Sequence, residues 1–337
     1  MRLDLRSLLG ITLSAGLLWL TLRDVALADV ATRLRGSDPV LWALCTLTAT
    51  AIFPLRARRW QAILAPLGPR VPVRALWEAT AIGMMVNNVV PARAGELARA
   101  VSLSQRHPTL GLGAIIGSLV VDRLFDGTMV LGLLLVATLD PAFPADATVF
   151  GWRAGEIGLA AATALGGVLL GLLLLLLAPE LVTRLIDGTA GRVAPGLARR
   201  LRTLVESFAA GLAMLRSPAL VGEVAWWTLL HWLTNGLAFW LGFRALGLDA
   251  PFSSALFLQG VIAIGVSIPQ APGFFGVFEA TGKAGLALYA VAAEPAVTWA
   301  IGFHLLSFVP ITLLGAWYLA RQPWRLRDLI GRAPSDG

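Results

Sequence analysis

The chain has 337 residues, of which 57% are hydrophobic and 14% are charged, and its mean hydropathy is +0.76. A soluble domain has roughly 25% charged residues, so this composition excludes a soluble enzyme with a large core. Several apolar runs approach or exceed the ~20 residues that span a bilayer, which predicts an all-α polytopic membrane protein. The net charge of +7 comes from arginines that flank apolar segments. We therefore interpret this charge by the positive-inside rule and expect no nucleic-acid partner.

The sequence has few residues that suit cofactor or metal chemistry. Cys45 is the only cysteine and lies in an apolar run, so neither a disulfide framework nor a cysteine metal site is expected. The three histidines show no metal-ligand spacing, and neither an ATP-binding motif nor a nucleophile motif is found. We therefore predict no metal, no cofactor and no enzymatic activity.

Arginines place the first half, residues 1–139, across the membrane. Arg2 and Arg6 predict a cytoplasmic N-terminus, so a first transmembrane helix within 1–22 crosses outward to a mixed-charge external loop at 23–38. Residues 39–55 then cross back to a basic cluster expected in the cytoplasm: Arg56, Arg58, Arg59, Arg70 and Arg74. An alternative is that the first 28 residues are a cleaved signal peptide. We prefer a retained helix because it makes the topology symmetric.

The next apolar run does not fit a single crossing. Residues 75–90 are apolar, yet the segment that follows again carries a cytoplasmic signature: Arg93, Arg99 and Arg106. A segment that begins and ends on one side predicts a re-entrant hairpin over 75–106, broken near Pro91.

A long helix and a loop join the two halves. Residues 110–139 are predicted to cross outward, 140–154 to form an external loop, and 157–178 to cross back. A basic cytoplasmic linker follows at 179–218, and its part at 199–215 predicts an interfacial amphipathic helix.

The second half, residues 155–320, repeats the same kinds of segment. After the first crossing come an outward crossing, an interrupted apolar run, an inward crossing and a cytoplasmic tail: 219–248, 252–292, 296–320 and 321–337. Because Pro269 and Pro272 interrupt the apolar run, we interpret it as a second hairpin that enters from outside.

Each half thus contains three spanning helices and one re-entrant hairpin, in opposite orientations, which predicts an inverted-topology repeat. Two broken helices in matching places are typical of a transporter binding site. The alternative is that both hairpins are ordinary helix pairs that cross fully, giving about ten spans.

The first break has most of the candidate headgroup-binding residues. Arg93 and Arg99 offer planar donors that suit phosphate, and Asn87 and Asn88 can cap exposed backbone or bind headgroup oxygens. Alternatively, the arginines extend to the cytoplasmic interface and bind no ligand. Glu96 is a candidate for balancing charge, carrying a proton or binding a cation. The simpler interpretation is a purely structural salt bridge with Arg93 or Arg99.

The long predicted helix contains three charges. Asp122 lies roughly 20 Å along it by the rise per residue, Asp126 shares its face, and Arg123 lies on the adjacent side. Charges at that depth are candidates for function. The alternative is a buried structural network with Arg59 or Arg93.

The second break has its own candidates. Pro272 and Gly273 are placed to open a helix whose N-terminus would face the break and bind an anion. Glu279 is the acid that corresponds to Glu96, and Lys283 lies four residues on, at the spacing of an ion pair.

Four blocks together resemble the lysylphosphatidylglycerol synthetase transmembrane-region family, the flippase-like half of the multiple peptide resistance factor. They are Arg58-Arg59-Trp60, the run Asn87 to Arg99, Asp122 to Asp126, and the run Pro269 to Glu279. The family often has Glu-Arg where this chain has Asp122-Arg123. Full-length synthetases also carry a C-terminal aminoacyl-transferase domain, whereas only Gln322–Gly337 follows the last predicted span here.

The resemblance implies lipid translocation without lipid synthesis, in a bacterial inner membrane, with membrane lipids as partners. Family members are associated with aminoacyl-phospholipids or polyprenyl-linked glycans, so the substrate does not carry over. We expect phosphate to be held by Arg93, Arg99 and Arg123, and charge to be balanced or gated by Glu96, Asp122, Asp126 and Glu279. The remaining candidates for headgroup binding are Arg59, Asn87, Asn88, Pro272 and Gly273. Two alternatives stay open: a secondary transporter of a small anion, and a non-transporting membrane partner of a separate glycosyl- or aminoacyl-transferase. Assembly into an oligomer also stays open.

Overall fold

The computed structural model describes residues 5–90, 94–149, 152–177, 217–266 and 271–324, together with a few single residues elsewhere. Several predicted features lie outside the described residues: Pro91, Arg93, Pro269, and the amphipathic helix expected at 199–215. The described part is α-helical apart from one short ladder, which confirms the predicted helical class.

The chain begins with helix α1 (Leu5–Leu22) and helix α2 (Leu27–Gly36), which meet at a bend of 75°. The prediction of a loop over 23–38 was therefore wrong, because most of it is helical. Val30 of α2 packs in a small buried cluster with Val297, while the basic side chains of α2 lie on its exposed face. One buried residue on a polar helix is a weak signal in a hydropathy pattern.

Helix α3 (Pro39–Leu64) is the first long apolar helix. The carboxylate of Asp38 caps it, accepting hydrogen bonds from the amides of Val40 at 2.8 Å and Leu41 at 3.1 Å. Its C-terminal half carries the buried arginines of the site, and a short 3-10 turn at Ala65–Leu67 follows.

The first break separates α4 (Val73–Val89) from α5 (Gly95–Arg106), and the two helices pack against each other. Their approach depends on glycine: a Cβ on Gly83 would lie 2.7 Å from the carbonyl oxygen of Gly95, too close for any side chain. The backbone thus returns along α4, and the described part of the returning helix begins at Gly95.

Helix α6 (Leu112–Thr138) and helix α7 (Ala154–Leu177) flank the predicted external loop. That loop contains an antiparallel ladder of two residues on each side, Thr148–Val149 with Trp152–Arg153, which was not predicted.

The second half continues with α8, α9, a 3-10 turn, α10 and α11: Pro218–Ala245, Phe252–Gly265, Pro272–Phe274, Val277–Leu288 and Ala293–Ala320. The expectation that a helix opens at Pro272 was wrong. Pro272 starts the 3-10 turn, and α10 begins only after Gly276, whose φ of 85° suits a residue without a side chain.

Among the described residues, three helices are long and apolar enough to cross a membrane, and a fourth span is obtained if α1 and α2 count as one. The three lie at Pro39–Leu67, Ala154–Gly171 and Ala293–Ala320. Helix α6 has the length of a span, with Asp122, Arg123 and Asp126 in its middle.

The helix contacts of the two halves correspond. Helix α3 packs along α8; α4 packs on α11 as α9 packs on α6; α7 lies against α6 as α2 lies against α11. Helix α4 also contacts the 3-10 turn at Pro272–Phe274, so the two halves of the chain pack against each other at this turn. A buried aromatic cluster fills the interface of α8, α10 and α11: Phe239, Phe243, Phe278, Trp299 and Phe303.

Candidate functional site

A cavity of about 650 Å³ lies between the two halves, lined by α3–α6 of the first half and by α8–α11 with the 3-10 turn of the second. Much of its wall is apolar. Its polar and charged residues are Arg56, Asn87, Asn88, Glu96, Arg123, Asp126, His231, Trp232, Asn235, Gln259, His304 and Ser307. A cavity with a charged region and an apolar region matches an amphiphilic molecule.

Arg59 sits behind the charged part of this wall and is fully buried. Its two terminal nitrogens lie 2.6 Å from a carboxylate oxygen of Asp122 and 2.6 Å from one of Asp126. The indole N–H of Trp232 also donates to Asp126 at 2.9 Å. The buried structural network proposed with Arg59 is therefore present and joins α3, α6 and α8.

Arg99 is also behind the wall and is not a lining residue. Its guanidinium lies over the ring of Trp60, 3.9 Å from the centroid, and is 3.2 Å from Asp122. Glu96 is 3.6 Å away, one turn along α5. These contacts tie α5 to α3 and α6, and the role predicted for Arg99 in phosphate binding stays a prediction.

Arg123 is the most accessible arginine of the cluster, with 47% of its side chain exposed. It lies 2.9 Å from Glu96 and 3.2 Å from Asp126, and all three side chains line the cavity. Both acids also contact a second arginine: Glu96 contacts Arg99, and Asp126 contacts Arg59. The Arg123 guanidinium is placed to exchange a carboxylate for an incoming anion.

Four lining side chains have buried atoms without a hydrogen-bond partner among the described residues: Nε of Arg56, Oε2 of Glu96, Nδ1 of His231 and Nε2 of Gln259. Buried polar atoms are almost always paired in proteins, so spare ones at a cavity wall are available to a ligand. Within the described ranges, the contacts of the Arg56 guanidinium are a 3.8 Å approach to Asp122 and a 3.8 Å approach to the sulfur of Met84.

The cluster has more positive than negative groups. In the described part of the chain its arginines outnumber its acids by one: Arg56, Arg59, Arg99 and Arg123 against Glu96, Asp122 and Asp126. An excess of positive charge in a buried site favours an anionic ligand.

The two asparagines have different roles. The side-chain oxygen of Asn87 accepts from the amide of Gly95 at 2.8 Å, so it closes the first break. Asn88 donates to the hydroxyl of Thr312 at 2.7 Å and joins α4 to α11. Both line the cavity, and both have contacts that hold the break in shape.

The second break is held by Glu279 and His304. One oxygen of Glu279 accepts from the amide of Gly276 at 2.7 Å, and the other lies 2.6 Å from Nδ1 of His304. Nε2 of His304 lies 2.7 Å from the carbonyl oxygen of Gly273. The expected ion pair of Glu279 with Lys283 was wrong, because Lys283 donates to the carbonyl of Thr21 at 3.0 Å.

Sequence reasoning found five of the lining residues: Asn87, Asn88, Glu96, Arg123 and Asp126. The other described candidates are not lining residues: Arg59, Arg99, Asp122, Pro272, Gly273 and Glu279. Arg93 lies outside the described residues. Arg56, His231, Gln259 and His304 were missed as site residues. Their only sequence signal was polarity inside an apolar helix.

No group of three or more His, Cys, Asp or Glu that could hold a metal is found in the ranges that the structure describes.

The fold and site define a polytopic helical membrane protein with a charged cavity between two broken-helix halves. The chain belongs to the family described as the lysylphosphatidylglycerol synthase TM region, whose profile matches residues 7–315.

Among curated proteins, the chain is similar to "Glycosyltransferase AglD" of Haloferax volcanii, with 28% identity over 303 residues. The match covers 80% of this chain and 47% of that protein, so the chain spans about half the length of this relative. No solved structure matches.

Proposed function

We propose that this chain moves an anionic phospholipid or lipid-linked headgroup between the leaflets of a membrane, and that it has no synthase activity. The observation that carries this proposal is the cavity, where the half-exposed Arg123 and the spare donors of Arg56 and Gln259 share one wall with apolar side chains. Family membership agrees with a lipid-related role.

A charged headgroup needs such a site because hydrocarbon offers it no partners. Burying even one unpaired polar group costs about 2–7 kcal/mol, and a charge costs more. Arg123 and Arg56 would replace water around the phosphate, while the apolar wall would accept the chains of the lipid. A cavity with both features lowers the barrier without supplying free energy, so net movement follows a gradient of lipid or of a coupled ion.

The same proposal includes the topology. The two halves are inverted repeats, with α4–α5 entering the membrane from the cytoplasm and α9–α10 entering from outside. The corresponding helix contacts of the halves and the meeting of α4 with the turn at Pro272–Phe274 support this arrangement. Both termini are then cytoplasmic, and the protein is multi-pass in a cell membrane.

The test is reconstitution in vesicles that carry a fluorescent phosphatidylglycerol, with chemical quenching of the outer leaflet to measure translocation. Arg123→Gln is expected to slow translocation about tenfold or more, because a hydrogen bond to a charged group contributes about 1.5–3 kcal/mol. Arg74→Gln is the matched control, since the Arg74 side chain is 82% exposed and does not line the cavity.

Wild-type vesicles that translocate no faster than protein-free vesicles would contradict the proposal. Equal rates for wild type and Arg123→Gln would exclude this cavity as the path. A small-anion transporter would instead carry labelled phosphate at rates that do not depend on the lipid offered.

The similarity to a protein named glycosyltransferase favours one second candidate: a membrane partner of a transferase that itself moves no lipid. In that case the chain would raise the activity of a co-reconstituted glycosyltransferase on a lipid-linked acceptor, and Arg123→Gln would leave that stimulation intact.

A further inference from the structure

The contact between Glu279 and His304 has a chemical consequence that depends on which atoms can donate. Nε2 of His304 faces the carbonyl oxygen of Gly273 at 2.7 Å, and a carbonyl oxygen only accepts. Nε2 must therefore carry a hydrogen. Nδ1 faces a carboxylate oxygen of Glu279 at 2.6 Å, and that contact also needs a hydrogen between the two atoms.

The hydrogen in the second contact is an extra proton. If it is on Nδ1, the pair is imidazolium and carboxylate; if it is on Glu279, the pair is neutral imidazole and carboxylic acid. In both forms the pair holds one proton more than a neutral histidine beside a carboxylate. We propose that Glu279 and His304 form a proton-binding site at the second break, and that its proton is coupled to the movement of the headgroup.

The site is enclosed, with access from the cavity. The rings of Phe275, Phe278 and Phe308 surround His304 at centroid distances of 4.6, 4.7 and 6.1 Å. Glu279 and His304 are both buried, and His304 lines the cavity. A proton can therefore reach the pair from the place where the headgroup would bind.

Other charged groups on the surrounding elements have partners of their own or lie across the cavity. On α10, Lys283 is bonded to the carbonyl of Thr21 in α1. On α4, Glu78 pairs with Arg74 and Arg106. Five charged or titratable residues lie across the cavity: Arg56 of α3, Glu96 of α5, Arg123 and Asp126 of α6, and His231 of α8. In the first turn of α11, Glu294 pairs with Arg33 of α2.

Loss of the proton would release the break. Deprotonation leaves carboxylate, one free proton and a neutral imidazole with a single N–H, so only one of the two ring nitrogens can still donate. The other nitrogen places a lone pair against an oxygen, which is repulsive, so His304 of α11 releases either Glu279 in the first turn of α10 or the carbonyl of Gly273 in the 3-10 turn. Because Phe274 and Phe278 of this region line the cavity, the change would alter the cavity wall. The coupling rests on the proposed lipid movement, whereas the proton site itself does not.

Glu279→Gln is a sharp test because an amide fits the same contacts without the exchangeable proton. Its oxygen can accept from the amide of Gly276, and its NH₂ can donate to Nδ1 of a neutral His304. The matched control is Glu156→Gln, at the exposed start of α7. Size-exclusion profiles establish that each variant is folded, and His304→Gln is the second variant if Glu279→Gln does not fold.

The experiment applies a pH gradient of about one unit across reconstituted vesicles, with the membrane potential clamped, and measures the final distribution of fluorescent phosphatidylglycerol between leaflets. Wild type and Glu156→Gln are expected to establish an asymmetry of up to about tenfold, since a tenfold activity ratio corresponds to about 1.4 kcal/mol for each coupled proton. Glu279→Gln is expected to give equal leaflets. Equal leaflets for wild type, or a wild-type asymmetry for Glu279→Gln, would overturn the coupling.

Infrared difference spectra over a pH titration test the proton site without any transport. A band that reports proton gain in wild type and is absent from Glu279→Gln supports the site, and identical spectra overturn it. Wild type that moves no lipid under any condition overturns the proposed function, and the spectra then decide the proton site alone.

Discussion

Individual charged residues of this protein divide into those that hold helices together and those that can meet a ligand. Arg59 is fully buried between two carboxylates, and Arg99 is stacked on Trp60, so both are committed to the fold. Arg123 is half-exposed in the cavity, and Arg56 has only weak contacts. The second pair is therefore the one we expect to decide binding.

Arg59→Ala is predicted to destabilise the protein strongly. It leaves Asp122 and Asp126 buried without their main partner, and removal of one partner of a buried ion pair costs about 3–5 kcal/mol. The measurement is thermal unfolding in detergent. Arg58→Ala, at an exposed neighbouring position, is the control and should unfold close to wild type. Equal midpoints for the two variants would contradict the structural role of Arg59.

At the scale of residues, the sequence indicated that charged side chains lie within apolar helices. For Glu96, Arg123 and Asp126 this correctly predicted residues of the candidate site. It did not indicate which side of each helix faces the cavity. Asp122 and Asp126 share a face by spacing, yet only Asp126 lines the cavity, because the neighbouring helices cover Asp122 completely. That distinction depends on packing between distant segments, which spacing within one helix does not encode.

At the scale of helices, the two breaks are held by close packing. Helix α11 crosses α4 so closely at Gly315 that an added Cβ would meet the backbone oxygen of Ala81 and the Cβ of Met85. Small residues at a crossing let helices in membranes approach until their backbones touch.

Gly315→Val is predicted to push α11 away from α4 and lower stability by about 1–3 kcal/mol or more, as overpacking does in a filled core. Gly222→Val in α8 is the control, since nothing lies within 4 Å of a Cβ at that position. Thermal unfolding again reads out the difference. An unchanged midpoint for Gly315→Val would show that the crossing tolerates separation.

Hydropathy predicted the long helices well. The span predicted at 110–139 is the helix Leu112–Thr138, and the span predicted at 296–320 is the helix Ala293–Ala320. Hydropathy missed α2, where a single buried valine gives little contrast. The helix start predicted at Pro272 came from a different rule, the preference of proline for the first turn of a helix. That rule does not distinguish an α-helix from a 3-10 turn. The capping contact of Glu279 with Gly276 sets the true start.

At the scale of the whole molecule, the two halves have corresponding contacts, although the motifs at their breaks are only weakly similar as sequence. Charge parity and proline positions predict an inverted repeat, because the side of a loop depends on its arginines, and this arrangement stays a prediction. The volume of the cavity and the identity of most residues that line it were beyond prediction, because they depend on contacts between residues of both halves.

Re-entrance predicts which ends of the helices share a side. In a Cys45→Ala background, which removes the only cysteine, an impermeant thiol reagent should label Arg74→Cys and Gln105→Cys from one side of the membrane. Phe252→Cys and Ala293→Cys should be labelled from the other side. All four positions are exposed. Labelling of the two members of a pair from opposite sides would contradict the return of the chain, because it would mean that the segment between them crosses the membrane only once.

The most direct test of headgroup movement through the cavity is to fill the cavity. Gly127 lines it, and nothing lies within 4 Å of an added Cβ, so the side chain of Gly127→Trp begins in open space at the cavity wall. Gly132 of the same helix is equally free of contacts and is not a lining residue, which makes Gly132→Trp the matched control. In the fluorescent-lipid assay, Gly127→Trp should translocate no faster than protein-free vesicles, while Gly132→Trp keeps the wild-type rate. Equal translocation by the two variants would contradict a path through this cavity.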